Sequence, residues 1–336
     1  MKIGANDTAE HPFLVAEIGN NHEGSFDVAR ELVEKAAECG VDAVKFQTFR
    51  TKYYVSSRDE ARSKRLQSFE LSVDQFGKLA ELAKSLGLSF ISTPFDLDSA
   101  RGIEGFVDAF KIASGDNDFY PLVREVSLKR KPLIISTGLS DLAQVRDVIN
   151  YVRGVRAAAG IDAEMAVLHC VSAYPAPPSE VNLRAIGEIR RVLDCEVGYS
   201  DHTMGSMACL AAVAIGATII EKHFTLDKHY SEFRDHQLSA DPPEMKLIAQ
   251  QMKEFFALRG SERKEVQPSE KGNVVPVRRS IVAARDMAKG EMVSDGDLTW
   301  IRPRDGLRPG REHLLLGKRL IRAVEFGRPI LTGDVE

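Results

Sequence analysis

The stretch FLVAEIGNNHEGSFDVARELVEKAAECGVDAVKFQT, residues 13–48, contains a short apolar run, an amphipathic segment of helical length and a second apolar run. In the middle segment the apolar residues fall on one stripe, at Val28, Leu32 and Ala36, and Gly40 follows as a residue that commonly ends a helix. This order is typical of two parallel strands joined by a crossover helix. The stretch therefore predicts one β–α–β unit.

The same alternation continues along the chain from residue 12 to residue 258. Eight apolar runs read as strands: residues 13–19, 41–48, 88–95, 109–115, 132–138, 165–172, 195–202 and 217–224. Eight such units over roughly 250 residues predict an α/β fold of the closed (β/α)8 barrel type. A doubly wound open sheet is the alternative, but no GxGxxG sequence follows any of these strands.

The pattern changes after residue 258. Residues 260–273, GSERKEVQPSEKGN, are charged and nearly free of large apolar side chains, so we interpret residues 259–277 as a linker. Residues 278–336 contain short β-like runs broken by turn residues, which predicts a small β-rich second domain. The predicted organisation is a barrel over residues 1–258, the linker and this second domain.

Composition and charge exclude several classes of function. The 336 residues include 45 basic and 49 acidic side chains, a net charge of -4, so no basic surface for nucleic acid is expected. The N-terminus lacks the apolar core of a signal peptide, and the uncharged stretch 203–220 is broken by glycines, so we expect a cytoplasmic protein without a membrane span. The four cysteines show no CxxC spacing and are expected to be reduced thiols in apolar surroundings.

Polar and ionisable residues stand at or just after the end of nearly every predicted strand, where (β/α)8 barrels carry their working residues. They are Glu17, Asn21, His22, Lys45, Gln47, Ser92, Thr93, Lys111, Ser114, Asp116, Ser136, Thr137, His169, Ser172, Tyr174, Ser200, Asp201, His202, Lys222 and His223.

Lys45 and Lys111 lie inside apolar runs, at positions whose alternation points into the barrel. A buried ammonium without a partner costs several kcal/mol, so each lysine needs a negative group. Pairing with barrel carboxylates is one interpretation. We rank anion binding above it, because hydroxyl groups converge on the same rim, and we expect neither lysine to be paired structurally.

His202 and His223 end two successive strands, which should bring their imidazoles together beside Glu17 on the adjacent first strand. Two imidazoles with carboxylate or substrate oxygens suit a divalent ion such as Mn, Fe or Zn. Open, oxygen-rich coordination favours Mn or Mg over a structural zinc site.

The strand-end motifs together resemble the sialic acid synthase family. They are AEIGNNHEG (16–24), VKFQT (44–48), STPF (92–95), FKIASGD (110–116), ISTG (135–138), LHCVSAYPAPP (168–178), GYSDHT (198–203) and EKHFTLDK (221–228). The tail also resembles the antifreeze-like (SAF) domain of that family, through RRSIVAARDMAKGE, IRPRDGL and LLGKRL.

This resemblance implies an enzyme that condenses phosphoenolpyruvate with an N-acyl hexosamine to give a nine-carbon acid and phosphate. It implies a divalent metal, most typically Mn²⁺ with Mg²⁺ and Co²⁺ as alternatives, and a domain-swapped homodimer. His202 and His223 match the metal ligands, and Arg302 matches an arginine that the SAF domain of one subunit lends to the sugar bound by the other.

The resemblance also assigns the other site residues. The groups matched to the phosphate and carboxylate of phosphoenolpyruvate are Lys45, Thr93, Lys111, Ser136, Ser172 and Ser200. Ser114, which follows the same strand as Lys111, is added to this set. The positions matched to the acceptor sugar are Glu17, Gln47, Tyr174 and Asp235. For catalysis, Lys111 would stabilise developing charge, and Asp116 or Glu17 would move protons.

Two positions differ from the pattern usual in the family, Asp116 in place of Glu and Ser172 in place of Asn. The loop HYSEFRDHQLSADP (229–242) also differs, so a diamino-sugar acceptor is as plausible as N-acetylmannosamine. Two other functions stay open: another phosphoenolpyruvate-dependent ulosonate synthase or metal aldolase, and a non-catalytic carbohydrate-binding protein.

Overall fold

A computed structural model describes residues 1–261 and 263–336. The chain divides into two compact units, Met1–Gly260 and Ser261–Glu336. The predicted linker, residues 259–277, includes Glu262, which lies outside the described residues. Within that segment Pro268–Asn273 forms a 3-10 helix.

The first unit opens with a small antiparallel hairpin, β1 (Lys2–Ile3) and β2 (Asn6–Asp7). Eight parallel strands then close into a barrel, in which the last strand pairs with the first. They are β3 (Phe13–Gly19), β4 (Ala43–Thr48), β5 (Ser89–Pro94), β6 (Ala109–Ile112), β7 (Leu133–Ser136), β8 (Met165–Cys170), β9 (Glu196–Asp201) and β10 (Ile219–His223). The predicted (β/α)8 barrel is confirmed.

Helices connect the strands and cover the outside of the barrel. They are α1 (Phe26–Cys39), α2 (Thr51–Tyr54), α3 (Glu60–Phe69), α4 (Val73–Ser85), α5 (Leu97–Gly102), α6 (Tyr120–Ser127), α7 (Leu142–Ala158), α8 (Ala185–Leu193), α9 (Met207–Ala214), α10 (Arg234–Leu238) and α11 (Pro242–Arg259).

Helix α1 shows how local sequence sets the element boundaries. The Ser25 side chain accepts a hydrogen bond from the backbone N–H of Val28 and caps the first turn. Gly40 has a φ of 78°, a left-handed conformation that glycine adopts without strain, and it ends the helix as its position predicted.

The barrel interior is divided into an apolar and a polar part. The first inward side chains of the strands, among them Phe13, Val15, Ala43, Ala109 and Ile219, pack together as a small apolar cluster. Two residues after Val15, Ala43, Ala109 and Ile219, the inward side chains are Glu17, Lys45, Lys111 and Glu221, because successive residues of a strand alternate between its two faces. The polar part therefore lies at the carboxyl ends of the strands.

The second unit has its own apolar core, which includes Ile281, Met287 and Leu320. Its regular strands, β11 (Ser280–Ala283) and β12 (Leu298–Ile301), pair antiparallel, in agreement with the predicted β-rich domain. Arg302 directly follows β12 and is exposed. Among the helices of the described residues, none has the length and apolar character needed to cross a bilayer.

Candidate active site

Four buried charged groups lie on the inner face of the barrel near the carboxyl ends of its strands. Lys45 Nζ lies 2.8 Å from Glu17 Oε2 and 3.6 Å from Glu221 Oε2. Lys111 Nζ lies 4.0 Å from the same Glu221 oxygen. All four side chains are buried, so two ammonium groups are balanced by two carboxylates away from bulk water.

The expectation that neither lysine is paired structurally is wrong. Lys45 is ion-paired with Glu17, and Lys111 has Glu221 as its nearest carboxylate. The cause is the cost of a buried ammonium, which the barrel must offset with its own carboxylates when no other anion is present. Pairing and anion binding do not exclude each other, because a lysine can exchange a carboxylate oxygen for a ligand oxygen.

Glu221 is a site residue that the sequence reasoning missed. It stands two residues before His223 in β10 and therefore on the same face of the strand. That spacing was the available signal, since His223 was already placed at the site.

Burial and the lysines act in opposite directions on the two carboxyl groups. Although burial disfavours its charged form, Lys111 and Lys45 lower the pKa of Glu221 to about 2. For Glu17 the effect of burial exceeds that of Lys45, and its pKa is raised. Burial also lowers the pKa of the Lys111 ammonium, which Glu221 only partly opposes. Glu221 is therefore the firmly ionised partner, because two ammonium groups face it.

Hydroxyl groups complete the contacts of these charges. Lys45 Nζ donates to Thr93 Oγ1 at 3.1 Å, and Lys111 Nζ donates to Ser136 Oγ at 2.5 Å. Ser200 Oγ donates to Glu221 Oε1 at 2.8 Å. Three of the predicted hydroxyl residues thus lie at the charged groups and could reorient to donate to an anion.

A second group of hydroxyls surrounds Gly138, just after β7. The Gly138 backbone N–H donates to Ser114 Oγ at 3.0 Å. A Cβ at position 138 would lie 2.2 Å from Ser172 Oγ and 2.8 Å from Ser114 Oγ, so no larger residue fits there without a shift. Ser172 Oγ is buried without a hydrogen-bond partner, which leaves its donor free for a ligand.

The two histidines meet as predicted. The ring centroids of His202 and His223 are 5.5 Å apart, and His223 stands opposite Glu17 in the register of the barrel. His202 Nδ1 is 2.8 Å from the Val171 carbonyl oxygen, which can only accept, so in the neutral ring Nδ1 carries the proton and Nε2 has the lone pair. The Nδ1 atom of His223 is buried without a hydrogen-bond partner.

The donor set fits an ion with few protein ligands. No group of three or more His, Cys, Asp or Glu side chains within residues 1–261 and 263–336 is arranged to hold a metal. Two imidazoles with free lone pairs at the open end of the barrel would leave the remaining positions to oxygen ligands.

Tyr174 connects the histidines to the segment that follows β10. Its ring centroid lies 4.1 Å from that of His202 and 6.1 Å from that of His223. The Arg234 guanidinium lies 4.5 Å from the Tyr174 ring, at a cation–π distance, and Arg234 Nε is 3.3 Å from Asp235 Oδ1. Arg234 was not predicted as a site residue.

Gln47 contacts Glu17, and Asp116 lies in the turn that follows β6. Gln47 Nε2 donates to Glu17 Oε1 at 3.2 Å and its Oε1 accepts from Asn20 at 2.8 Å. Asp116 is half-buried in a 3-10 turn after β6, where burial and the neighbouring Asp118 raise the pKa of its carboxyl group to about 6. A carboxyl group of this pKa changes protonation near neutral pH.

Comparison with known proteins identifies the family. Residues 32–264 match the model of the NeuB family, and residues 278–336 match that of the SAF domain. The chain belongs to the NeuB family. The resemblance to the sialic acid synthases is thereby confirmed, and with it the expectation of an enzyme that forms a carbon–carbon bond.

Relatives of this NeuB-family chain cover nearly its whole length. The N,N'-diacetyllegionaminic acid synthase of Campylobacter jejuni is 38% identical over 321 residues, which cover 91% of this chain and 94% of that protein. The N-acetylneuraminate-9-phosphate synthase of Homo sapiens is 30% identical, covering 97% and 94%. The crystal structure of the N-acetylneuraminic acid synthetase from Leptospira borgpetersenii superposes with a TM-score of 0.75 at 28% identity, covering 82% of this chain and 93% of that one.

Two details of the NeuB-family barrel correct the sequence interpretation. All four cysteines are free, but the surroundings of two are not apolar: Cys170 Sγ lies 3.7 Å from His202 Nδ1, and Cys209 Sγ lies 3.3 Å from Asp201 Oδ2. Lys222, which was grouped with the strand-end residues, does not point into the site: it pairs with Asp201 on the other side of the strands.

Arg302 belongs to the SAF unit, and its predicted role in another subunit stays a prediction.

Proposed function

We propose that this NeuB-family enzyme condenses phosphoenolpyruvate with an N-acyl hexosamine to give a nonulosonic acid and phosphate. The observation that carries the proposal is the pair of buried ammonium groups, Lys45 and Lys111, surrounded by hydroxyls at the same end of the barrel as His202 and His223. Phosphoenolpyruvate is a small anion with a phosphate and a carboxylate, and it needs both cationic and hydroxyl donors.

Lys111 and the hydroxyls around Gly138 form the proposed phosphate site. The free donor of Ser172 and the Ser136 hydroxyl at Lys111 supply hydrogen bonds to an oxyanion. Lys45 and Thr93 supply the second, proposed carboxylate position. When phosphoenolpyruvate binds, its phosphate and carboxylate groups would pair with the Lys45 and Lys111 ammonium groups, which are otherwise paired with Glu17 and Glu221.

A divalent ion, with Mn²⁺ as first choice, is proposed at His202 and His223. The atoms that could hold it are His202 Nε2, through its lone pair, and the unpartnered Nδ1 of His223. When bound, the ion would supply Lewis-acid polarisation of the aldehyde of the open-chain sugar.

The proposed reaction forms a bond between C3 of phosphoenolpyruvate and the aldehyde carbon of the sugar. The aldehyde oxygen takes up a proton as this bond forms, and water adds at C2 with loss of a proton. The C2 hydroxyl proton of the resulting intermediate then passes to the phosphate group as the bond between C2 and the phosphate oxygen breaks and phosphate is released. Lys45 and Lys111 stabilise the developing negative charge. Asp116 takes the proton from the attacking water, and Glu17 and Gln47 orient the sugar oxygens.

A diacetamido hexosamine is the acceptor that the comparisons favour. The N,N'-diacetyllegionaminic acid synthase is 38% identical to the chain, whereas the human N-acetylneuraminate-9-phosphate synthase is 30% identical. The loop after β10, which carries Arg234 and Asp235, is also where the sequence departs from the usual family pattern. Arg302 from the SAF unit of a second copy is proposed to contact the N-acyl group in a domain-swapped homodimer.

Release of phosphate from phosphoenolpyruvate tests the proposed function. Purified protein with Mn²⁺ is incubated with phosphoenolpyruvate and either a 2,4-diacetamido hexose or N-acetylmannosamine, and phosphate and the nine-carbon product are measured. We expect turnover with the diacetamido sugar to exceed that with N-acetylmannosamine. Lys111→Met should weaken phosphoenolpyruvate binding by about ten- to a hundredfold.

Three results would contradict this proposal. Faster turnover with N-acetylmannosamine would overturn the acceptor, and phosphate release only with a phosphorylated sugar would favour a different ulosonate synthase. No acceptor-dependent phosphate release with any of these sugars would overturn the reaction.

The pH dependence of the reaction should report Asp116. Since its pKa is raised to about 6 and the carboxylate is the active form of a base, kcat/KM should rise as the pH increases through about 6. Asp116→Asn should abolish this rise of kcat/KM with pH. The matched variant Asp116→Glu keeps a carboxyl group and should still show such a rise. An unchanged pH profile in Asp116→Asn would assign the proton transfer to another group.

A further inference from the structure

Asp201 and Lys222 form a fully buried ion pair on the outer side of the barrel. They stand directly opposite each other in the register of β9 and β10, and Lys222 Nζ lies 2.8 Å from Asp201 Oδ2. Both side chains are without solvent exposure. They are not in contact with the inner charges, since they point to the opposite face of strands β9 and β10 from Ser200 and Glu221.

The residues that follow this pair are the two histidines of the site. His202 comes directly after Asp201, and His223 comes directly after Lys222. Because side chains alternate along a strand, each charged residue points outward where the next residue points inward. The ion pair thus joins the ends of β9 and β10 at the point where both imidazoles leave the backbone.

Further contacts fix the backbone at Thr203, directly after His202. Asp201 Oδ1 accepts a hydrogen bond from the Thr203 backbone N–H at 2.9 Å, and Lys222 Nζ donates to the Thr203 carbonyl oxygen at 2.5 Å. The Tyr199 hydroxyl donates to Asp201 Oδ1 at 2.9 Å. Thr203, the residue after His202, is therefore attached to β10 through the Lys222 ammonium.

We propose that Asp201 and Lys222 are positioning residues that set the orientation of the His202 and His223 imidazoles for a divalent ion. The metal part of this inference rests on the proposed function. A buried ion pair is weak evidence for stability, because the cost of removing two charges from water often equals the attraction between them. One partner of this pair stands directly before each histidine. This location suits the pair to orienting the two imidazoles, as groups that contact metal ligands do in other proteins.

The charge-balanced double variant Asp201→Asn/Lys222→Met tests the proposal. The asparagine oxygen can still accept from Tyr199 and Thr203, and no unpaired charge is left in the interior. Binding of Mn²⁺ alone is measured by electron paramagnetic resonance of the free ion. We expect the Kd for Mn²⁺ to rise about 10- to 100-fold. Lys129→Met, which breaks a lysine pair with Glu104 and Glu125 away from the site, is the matched control and should keep the wild-type Kd.

A second measurement is independent of any metal. Two-bond ¹H–¹⁵N spectra of the histidine rings at a pH where they are neutral report which nitrogen carries the proton. We expect His202 to carry it on Nδ1 in the wild-type protein and to populate both forms in the double variant. Where the double variant does not fold, Tyr199→Phe, which removes one hydrogen bond to Asp201, is measured instead, with the same direction of change.

A folded variant with the wild-type Mn²⁺ affinity and the wild-type histidine spectrum overturns the positioning role. Failure of the wild-type protein itself to bind Mn²⁺ overturns the metal part of the proposed function, and the ring spectra then decide the positioning role alone.

Discussion

Replacement of Glu221 by glutamine should destabilise the ligand-free protein by about 3–5 kcal/mol, because it leaves two buried ammonium groups with less negative charge than they need. Glu221 is the shared carboxylate of Lys45 and Lys111, at 3.6 Å and 4.0 Å. The change is isosteric, so a loss of this size reports the charge rather than packing. The free energy of unfolding is measured by urea denaturation at pH 7.

The matched control for Glu221→Gln is Glu125→Gln. Glu125 also faces two cations, Lys129 and Arg101, but near the surface, where removing a carboxylate should cost less than about 1 kcal/mol. Equal losses in the two variants would contradict the importance of burial at Glu221. Phosphoenolpyruvate or inorganic phosphate should stabilise Glu221→Gln more than the wild-type protein, because the anion replaces the missing charge.

The pH dependence of stability provides a further check on Glu221. Its pKa in the folded protein is about 2, below the usual 4.5, so its ionised form contributes stability that is present above pH 4.5 and lost as the pH falls toward 2. This part of the acid destabilisation should be absent from Glu221→Gln. An acid-unfolding curve that is identical in both proteins would show that Glu221 is not held ionised by the lysines.

Replacement of His223 by alanine is expected to abolish metal-dependent turnover. Because only two protein ligands are proposed for the ion, loss of one should weaken Mn²⁺ binding by more than about a hundredfold, beyond what loss of a group that only orients a ligand typically causes. Treatment of the wild-type enzyme with EDTA should stop phosphate release, and added Mn²⁺ should restore it. His202→Ala should behave in the same way.

His11→Ala is the control for the histidine variants. His11 precedes β3 and lies 3.0 Å from Asp42, which precedes β4, so it belongs to the amino-terminal end of the barrel. It should keep wild-type metal binding and turnover. Full EDTA-sensitive turnover in His223→Ala would show that the ion, if bound, lies elsewhere.

The barrel and most site residues could be predicted because two simple periodicities determine them. Apolar runs of strand length alternate with amphipathic segments, and the residues at strand ends in a parallel barrel must converge. Lys45, Lys111, His202 and His223 were recognisable because charged or imidazole groups are unexpected in such runs. Strand β6 is shorter than predicted: it ends at Ile112 instead of residue 115, because the chain enters a 3-10 turn at Ser114.

The partners of these groups could not be predicted with the same ease. The pairing of Lys45 with Glu17 and Glu221 depends on the closure of the barrel, which brings β3, β4 and β10 side by side from distant parts of the sequence. The stacking of Arg234 on Tyr174 depends on the conformation of a segment without a regular pattern. Local periodicity carries no information about such contacts.

The division of the barrel interior has a consequence for how such an enzyme can be altered. In β4, β6 and β10 an inward residue that packs in the apolar cluster is followed by an inward charged residue of the site, and the two are separated by a rise of only about 7 Å. Catalytic properties can therefore be varied without rebuilding the scaffold, but Lys45, Lys111, Glu17 and Glu221 are linked by their charges. A change of charge at any one of these four residues therefore has to be accompanied by a compensating change at another, so that the group stays neutral.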